Sequence, residues 1–154
     1  MIYRYQDYYG VEWFEEPVLA DSIDDLSKFL SQSAVPVAAG ENSYMRWGFR
    51  EICDRRAAAY LQPDVGRCGG VTEFRKTAHL AEAYSLDLCS HLLEEVSVGL
   101  VGASPAGHMV EYTDLLPLGT LTHEFTVKEG HIRVPDKLGH GVEFTDDALK
   151  RYCQ

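Results

Sequence analysis

Five ionisable side chains recur along this sequence at intervals of 20 to 27 residues, and each follows a short apolar run. They are Glu15, Glu41, Asp64, His91 and Glu111. Carboxylates that converge on one pocket repel one another, and a bound cation is the usual compensation. Because hard oxygen ligands favour magnesium over zinc, we expect a magnesium site where these side chains meet.

Each of these residues, taken alone, has an ordinary explanation. Glu15 and Glu16 precede Pro17 at a strand end that could simply be solvated. Asp64 could cap the loop that it begins, and His91 could be a core histidine with satisfied hydrogen bonds. Five such residues in phase are harder to explain in this way, so the joint pattern favours a functional set.

The elements that must position these residues alternate between strand and helix. Strands are predicted at 11–14, 35–40, 58–62, 86–89 and 108–110, and helices at 21–30, 43–56, 71–84 and 94–103. We expect the large aromatic residues Trp13, Trp47 and Phe74 to lie in the core rather than to bind a ligand. The alternation of strands and helices is typical of stacked βα units and a parallel sheet, hence an α/β fold. An open doubly wound sheet and a (β/α)8 barrel both satisfy it. The doubly wound sheet would need a glycine-rich phosphate loop, and Gly69–Gly70 is too short to be one. In the barrel, the carboxyl ends of all strands open on one face, where the active site lies.

The C-terminal tail has a different pattern. Segments 123–127 and 131–134 resemble two strands, and they flank Lys128-Glu129-Gly130. A glycine between two such segments predicts a hairpin. Thr145 precedes two aspartates, which makes it the expected N-cap of a short terminal helix.

The overall composition excludes several classes of protein. The chain has 154 residues, of which 45% are hydrophobic, and a formal net charge of -10. This balance indicates one globular domain and argues against a nucleic-acid partner. The sequence shows no apolar run long enough for a membrane span and no signal-peptide core at its start. We expect a cytoplasmic protein in which the cysteines are reduced thiols, namely Cys53, Cys68, Cys89 and Cys153.

Five short motifs, in order, resemble the mandelate racemase branch of the enolase superfamily. They are residues 13–17 (Trp-Phe-Glu-Glu-Pro), 40–42 (Gly-Glu-Asn), 62–64 (Gln-Pro-Asp) with 69–71 (Gly-Gly-Val), 90–92 (Ser-His-Leu) and 111–112 (Glu-Tyr). The intervals between the ionisable residues also resemble that branch, and the resemblance covers nearly the whole chain from about residue 8. The related muconate-lactonizing branch typically has a lysine base where this chain has Asp64.

The resemblance implies a partial TIM-type (β/α) barrel. Residues 1–120 would correspond to strands four to eight of the enolase-superfamily barrel. Residues 121–154 would form a hairpin and helix tail that packs on a capping domain in the family. The sequence given has no counterpart of that domain or of the first three strands.

The resemblance also implies roles for individual residues. Glu15 and Glu41 would be two of three ligands of a magnesium ion, which would bind the substrate carboxylate and stabilise the enediolate formed when the α-proton leaves. His91 would be the general base or acid, with Asp64 as its hydrogen-bonded partner. Glu111 would face the opposite carboxylate oxygen and donate to the enediolate if protonated. Four further residues would bind substrate or support these groups, namely Asn42, Ser90, Glu16 and Arg67.

The chain departs from the family pattern in two ways. The third metal ligand, an aspartate, has no counterpart that can be assigned, and no Lys-x-Lys motif occurs. The expected substrate is a small-molecule carboxylate, and dehydration of an acid sugar is the preferred reaction. Racemisation or epimerisation is an alternative that needs a second base. A further alternative is a catalytically silent module that survives by self-association, since open sheet edges favour a homo-oligomer.

Overall fold

The computed structural model describes residues 9–113 and 115–153, and its centre is a parallel five-stranded sheet. The strands are β1 (Phe14–Glu15), β2 (Val37–Ala39), β3 (Tyr60–Leu61), β4 (Asp87–Cys89) and β5 (Gly107–Met109). The helices between them are α1 (Ile23–Gln32), α2 (Met45–Asp54), α3 (Gly70–Tyr84) and α4 (Glu94–Gly102). The strands pair in chain order from β1 to β5, so the predicted α/β fold with a parallel sheet is confirmed.

The first four strands are shorter than predicted, and several helix ends are shifted. β1 begins at Phe14, where the backbone N–H donates to Pro36 O at 2.9 Å and pairing with β2 starts. Val11 therefore lies before the strand, and Glu15, expected just beyond it, is its last residue. Helix α2 begins after Tyr44, whose extended backbone makes it the N-cap.

Large side chains from the helices and the sheet meet in one apolar core. Phe49 of α2 and Phe74 of α3 are fully buried, as are Leu61 of β3 and Leu88 of β4. Complete burial of a side chain of this size contributes about 1.5–3 kcal/mol to folding. The core therefore fixes the sheet against the helices and holds the strand ends in place.

Trp47 was expected in this core, and that prediction was wrong. Its side chain is 57% exposed, and the Arg46 guanidinium lies 4.3 Å from the ring centroid. Trp47 and Phe49 are two residues apart, which is roughly 200° around a helix. Because Phe49 faces the core, Trp47 must face outward.

Three rings from alternate strands contact one another on one face of the sheet. The Tyr60 ring in β3 lies 5.1 Å from that of Trp13, next to β1, and 5.7 Å from that of His108 in β5. Alternate strands of a flat sheet are about 9.6 Å apart, so ring contacts across two strands fit a sheet that curves toward this face. Layers of side chains from alternate strands are how a (β/α) barrel fills its interior. The curvature therefore fits the partial barrel.

The tail contains the predicted hairpin and terminal helix. Strands β6 (Val127–Lys128) and β7 (His131–Ile132) pair antiparallel around Glu129-Gly130, both of which have positive φ. The turn is thus a two-residue one, shorter than expected. Helix α5 (Asp146–Tyr152) begins after Thr145, whose Oγ1 accepts from Ala148 N at 3.2 Å.

Two further observations limit the chemistry of the described residues. Within 9–113 and 115–153, none of the helices has the length and apolarity needed to cross a membrane. All four cysteines are free thiols. Burial raises the pKa of the Cys53, Cys68 and Cys89 thiols to about 11, so these three are not reactive thiolates near neutral pH.

Candidate active site

Asp64 and His91 form a buried pair at the carboxyl ends of β3 and β4. His91 Nδ1 lies 2.9 Å from Asp64 Oδ2, and the two residues also form an isolated parallel β-bridge. Asp64 is 3% exposed and His91 9% exposed. An acceptor at Nδ1 favours a proton on that nitrogen, so Nε2 is the ring nitrogen left for proton exchange. The imidazole is therefore oriented for proton transfer at Nε2.

Asp64 also caps its own loop. Its Oδ1 accepts from Gly66 N at 2.7 Å and from Arg67 N at 3.2 Å, while Oδ2 faces His91. The loop-capping explanation and the histidine-partner explanation are therefore both correct, because the two oxygens have different partners. Because each oxygen has its own partners, the carboxylate is held in one orientation.

Glu41 lies between His91 and Arg67. His91 Nε2 is 3.2 Å from Glu41 Oε2, and Arg67 Nη1 is 3.1 Å from Glu41 Oε1. The same Arg67 nitrogen is 3.1 Å from Asn42 Oδ1, and Arg67 Nε is 3.7 Å from Asp64 Oδ2. Three of the predicted residues, Glu41, Asn42 and Asp64, thus converge around the Arg67 guanidinium.

Arg67 already supplies positive charge beside the converging carboxylates. We expected a bound cation to be the compensation for converging carboxylates, but Arg67 already faces both Glu41 and Asp64. Repulsion alone therefore does not require a metal here. The case for a metal depends instead on whether the available donor atoms suit one.

Glu15 and Glu16 have different surroundings at the end of β1. Glu15 Oε2 accepts from Gln62 Nε2 at 3.1 Å. Glu16 has a positive φ of 36°, and its Oε1 accepts from Gly40 N at 3.2 Å. Burial raises the pKa of Glu16, the Gly40 N–H opposes this, and the negative charge of Glu41 adds to the rise. Glu15 thus faces the site, whereas Glu16 joins the ends of β1 and β2.

Gln62 is a site residue that the sequence reasoning did not single out. It is 5% exposed and directs its amide at Glu15. A polar residue among the apolar ones of β3 was the available signal, because buried amides are normally hydrogen-bonded.

Glu111 holds the loop after His91. Its Oε2 accepts from Leu92 N at 2.7 Å, and its own backbone N donates to Ser90 Oγ at 3.3 Å. Leu92 and Leu93 both have a φ of 48°, a left-handed conformation that costs about 1–3 kcal/mol per residue. Strain of this kind persists where surrounding contacts over-determine the backbone, and Glu111 supplies one such contact.

Glu73, which lies outside the predicted set, joins α3 to the start of α2, and these helices follow the loops that carry Arg67 and Glu41. Its carboxylate is 2.7 Å from Arg46 Nη1 and from Lys76 Nζ, and it accepts from Arg46 N at 3.1 Å. The Lys76 hydrogen bond, followed by the Arg46 backbone N–H, lowers the pKa of Glu73 to about 2. Its position in α3 thereby fixes the start of α2.

Glu15 and Glu41 offer carboxylate oxygens from adjacent strands, and this donor chemistry fits magnesium. Magnesium in proteins usually keeps several waters and takes one or two carboxylates. Among residues 9–113 and 115–153, no group of three or more His, Cys, Asp or Glu side chains could hold a metal ion. The described residues therefore bring together at most two His, Cys, Asp or Glu side chains for one metal ion.

Comparisons with known proteins agree on one family. The model of the enolase C-terminal domain-like family matches residues 1–148. A D-galactonate dehydratase from Ralstonia nicotianae is 32% identical over 158 residues, which cover 89% of this chain and 39% of that protein. A 3,6-anhydro-alpha-L-galactonate cycloisomerase from Streptomyces coelicolor is 29% identical and covers 93% of this chain and 40% of its own length. The chain thus spans about two fifths of the relatives that it matches.

Solved structures of similar proteins superpose on nearly the whole chain. L-talarate dehydratase from Polaromonas sp. JS666, complexed with Mg and L-glucarate, superposes with a TM-score of 0.87 at 30% identity, covering 96% of this chain and 41% of that one. An enolase from Bradyrhizobium, complexed with magnesium and mandelic acid, superposes with a TM-score of 0.88 at 30% identity, covering 98% and 41%.

Proposed function

The chain belongs to the enolase C-terminal domain-like family, and from that premise we propose that it is the catalytic barrel part of a magnesium-dependent acid-sugar dehydratase. The observation that carries this proposal is the buried Asp64–His91 pair with Glu41 beside Nε2. In the proposed reaction, a carboxylate with hydroxyls on both its α- and β-carbons loses its α-proton, and the β-hydroxyl then takes up a proton and leaves as water. The resulting enol tautomerises to an α-keto acid, so atoms balance without an oxidant.

His91 is proposed to move the protons. Asp64 keeps the proton on Nδ1, so Nε2 can accept the α-proton or return a proton to the departing hydroxyl. Asp64 also offsets the positive charge that His91 acquires, as a buried carboxylate does in other acid–base pairs. Because the pair is almost fully buried, water is largely excluded from the Nδ1 side.

Glu15 and Glu41 are proposed to hold magnesium, with Gln62 orienting Glu15. When bound, magnesium supplies positive charge for the substrate carboxylate and for the enediolate. Four further residues are proposed to support this site or to bind substrate, namely Asn42, Ser90, Glu16 and Arg67. Glu111 is proposed to act at the opposite carboxylate oxygen, and its contact with Leu92 N leaves Oε1 for that purpose.

Self-association is proposed for the open edges of the sheet. Among the described residues, β1 and β5 are terminal strands of the five-stranded order. Terminal strands present unpaired N–H and C=O groups that favour pairing with another chain. A homo-oligomer would cover them, as would pairing with further barrel strands.

The test of the proposed function is a turnover assay over a panel of acid sugars with magnesium. The readout is the α-keto acid product, detected as its semicarbazone. Product formation that requires both magnesium and His91 would support the proposal. An absence of product with every acid sugar, together with an absence of magnesium binding, would refute it for this chain.

A further inference from the structure

Arg67 neutralises Glu41 from a position that allows its side chain to move. The Arg67 side chain is 46% exposed, and it reaches Glu41 Oε1 and Asn42 Oδ1 only through Nη1. The Arg67 backbone, in contrast, is fixed by Asp64, which accepts from its N–H at 3.2 Å. The guanidinium can therefore change partner while the loop stays in place.

The contact involves an atom that a cation at Glu41 would require. Glu41 Oε1 faces Arg67, and Glu41 Oε2 faces His91 at 3.2 Å. Neither oxygen is thus without a nitrogen neighbour. A divalent cation on Glu41 and the Arg67 guanidinium would carry like charges at close range. At about 5 Å in water, the repulsion is equivalent to roughly tenfold in affinity or more.

We propose that Arg67 exchanges between Glu41 and an anionic group of the substrate. This inference rests on the proposed function, because it assumes magnesium at Glu15 and Glu41. A divalent cation takes the place of Arg67 on Glu41, and the released guanidinium binds a second substrate carboxylate, distinct from the one at the metal. The planar fork of arginine suits carboxylates, which it can bind through two parallel hydrogen bonds. The same residue thereby stabilises Glu41 before binding and the substrate afterwards.

The test compares magnesium affinity in Arg67→Met with that in Arg55→Met. Arg55 is a matched control, because its side chain is also 46% exposed and pairs with Asp24 and Glu51 on the surface. Both variants lose one positive charge, so a general effect of net charge cancels. Isothermal titration with MgCl2 at constant ionic strength should give an affinity about tenfold higher in Arg67→Met than in Arg55→Met.

The outcomes separate this inference from the proposed function. If wild type binds magnesium but Arg67→Met binds no more tightly than Arg55→Met, the exchange is refuted and the magnesium site stands. If none of the three proteins binds magnesium at concentrations up to about 20 mM, the magnesium site is refuted and the exchange with it. A dissociation constant of about 20 mM corresponds to a binding free energy of about −2 kcal/mol.

A second measurement on the wild-type chain does not depend on a variant of Arg67. The Arg67 Nε–Hε resonance is followed by NMR while magnesium is added. The spectrum of the Glu41→Gln variant gives the reference position of this resonance when Arg67 has no ion pair with residue 41. Magnesium should move the resonance toward the Glu41→Gln position. Addition of L-glucarate, which has a second carboxylate, together with magnesium should then move it again, as the guanidinium takes that second carboxylate as its partner. A resonance that stays in place while magnesium binds would refute the exchange.

Discussion

Asp64 divides its two carboxylate oxygens between His91 and its own loop: Oδ2 lies 2.9 Å from His91 Nδ1, and Oδ1 accepts from Gly66 N and Arg67 N. The loop that carries Arg67 and the imidazole that faces Glu41 are thus oriented by one side chain. A change in Asp64 should therefore affect both at once.

Asp64→Asn should release His91 from its single tautomer. An asparagine has only one acceptor oxygen, which cannot serve both the loop N–H groups and His91 Nδ1 in the present geometry. We expect the His91 ring to show a tautomer mixture in long-range ¹⁵N NMR spectra. Turnover should fall by about 10²-fold or more. A ring that keeps one tautomer with unchanged turnover would contradict the assigned role of Asp64.

Glu111→Ala should loosen the strained segment after His91, and Glu111→Gln should not. A glutamine oxygen can still accept from Leu92 N, whereas alanine leaves that N–H without this partner. We expect hydrogen exchange at the Leu92 amide to accelerate by about tenfold or more in the alanine variant. If Glu111→Gln retains protection but loses turnover, the carboxyl group has a role beyond holding the loop. Equal protection in both variants would show that other contacts hold Leu92.

Glu73→Gln should lower stability at neutral pH, and most of the difference should be lost in acid. The folded-state pKa of Glu73 is about 2, mainly because Lys76 donates to it, whereas an unfolded glutamate has a value of about 4.3. Its stabilisation is therefore fully present above about pH 4.3 and is lost as the pH falls toward 2. Urea unfolding midpoints of wild type and variant at pH 7 and pH 2.5 test this.

The control for Glu73 is Glu51→Gln, since Glu51 pairs with Arg55 through a side chain that is 56% exposed. An exposed pair of this kind contributes little, so its variant should follow wild type at both pH values. A gap between wild type and Glu73→Gln that is the same at pH 7 and pH 2.5 would contradict the account of Glu73.

Gly40→Ala should destabilise the turn that presents Glu41. Gly40 has a φ of +127°, and a Cβ there would lie 2.8 Å from Phe49 Cε1 in the core. Backbone strain and the steric clash together should cost about 3 kcal/mol or more. Gly130→Ala is the matched control, because its φ is +75° but nothing lies within 4 Å. It should cost only about 1 kcal/mol in urea unfolding, and equal costs would mean that the clash relaxes freely.

The fold was predictable because each βα unit has its own local signal. Apolar runs and amphipathic segments alternate along the chain, and the parallel five-stranded sheet follows from that alternation. The ends of the elements were less predictable. β1 begins only where Phe14 can donate to Pro36, and no property of Val11 or Trp13 alone reveals that register. Trp47 was misplaced because hydrophobicity was given more weight than helical phase.

The meeting of the site residues was predictable, but their pairings were not. Spacing placed Glu41, Asp64 and His91 at neighbouring strand ends, and the structure brings all three together. Which oxygen faces which nitrogen depends on rotamers and loop backbone, as the contact between Glu111 and Leu92 N illustrates. The neutralising position of Arg67 likewise depends on a loop turn that residue spacing does not encode.

The most direct test of the account is magnesium-dependent exchange of the substrate α-proton. Acid sugars such as D-galactonate are incubated with the protein in D2O, and loss of the α-proton signal is followed by NMR. The control is His79→Ala, since the His79 side chain is 68% exposed on α3. We predict exchange that requires magnesium, persists in His79→Ala and falls by about 10²-fold or more in His91→Ala. Exchange that survives in His91→Ala, or a lack of exchange with every acid sugar tested, would contradict the account.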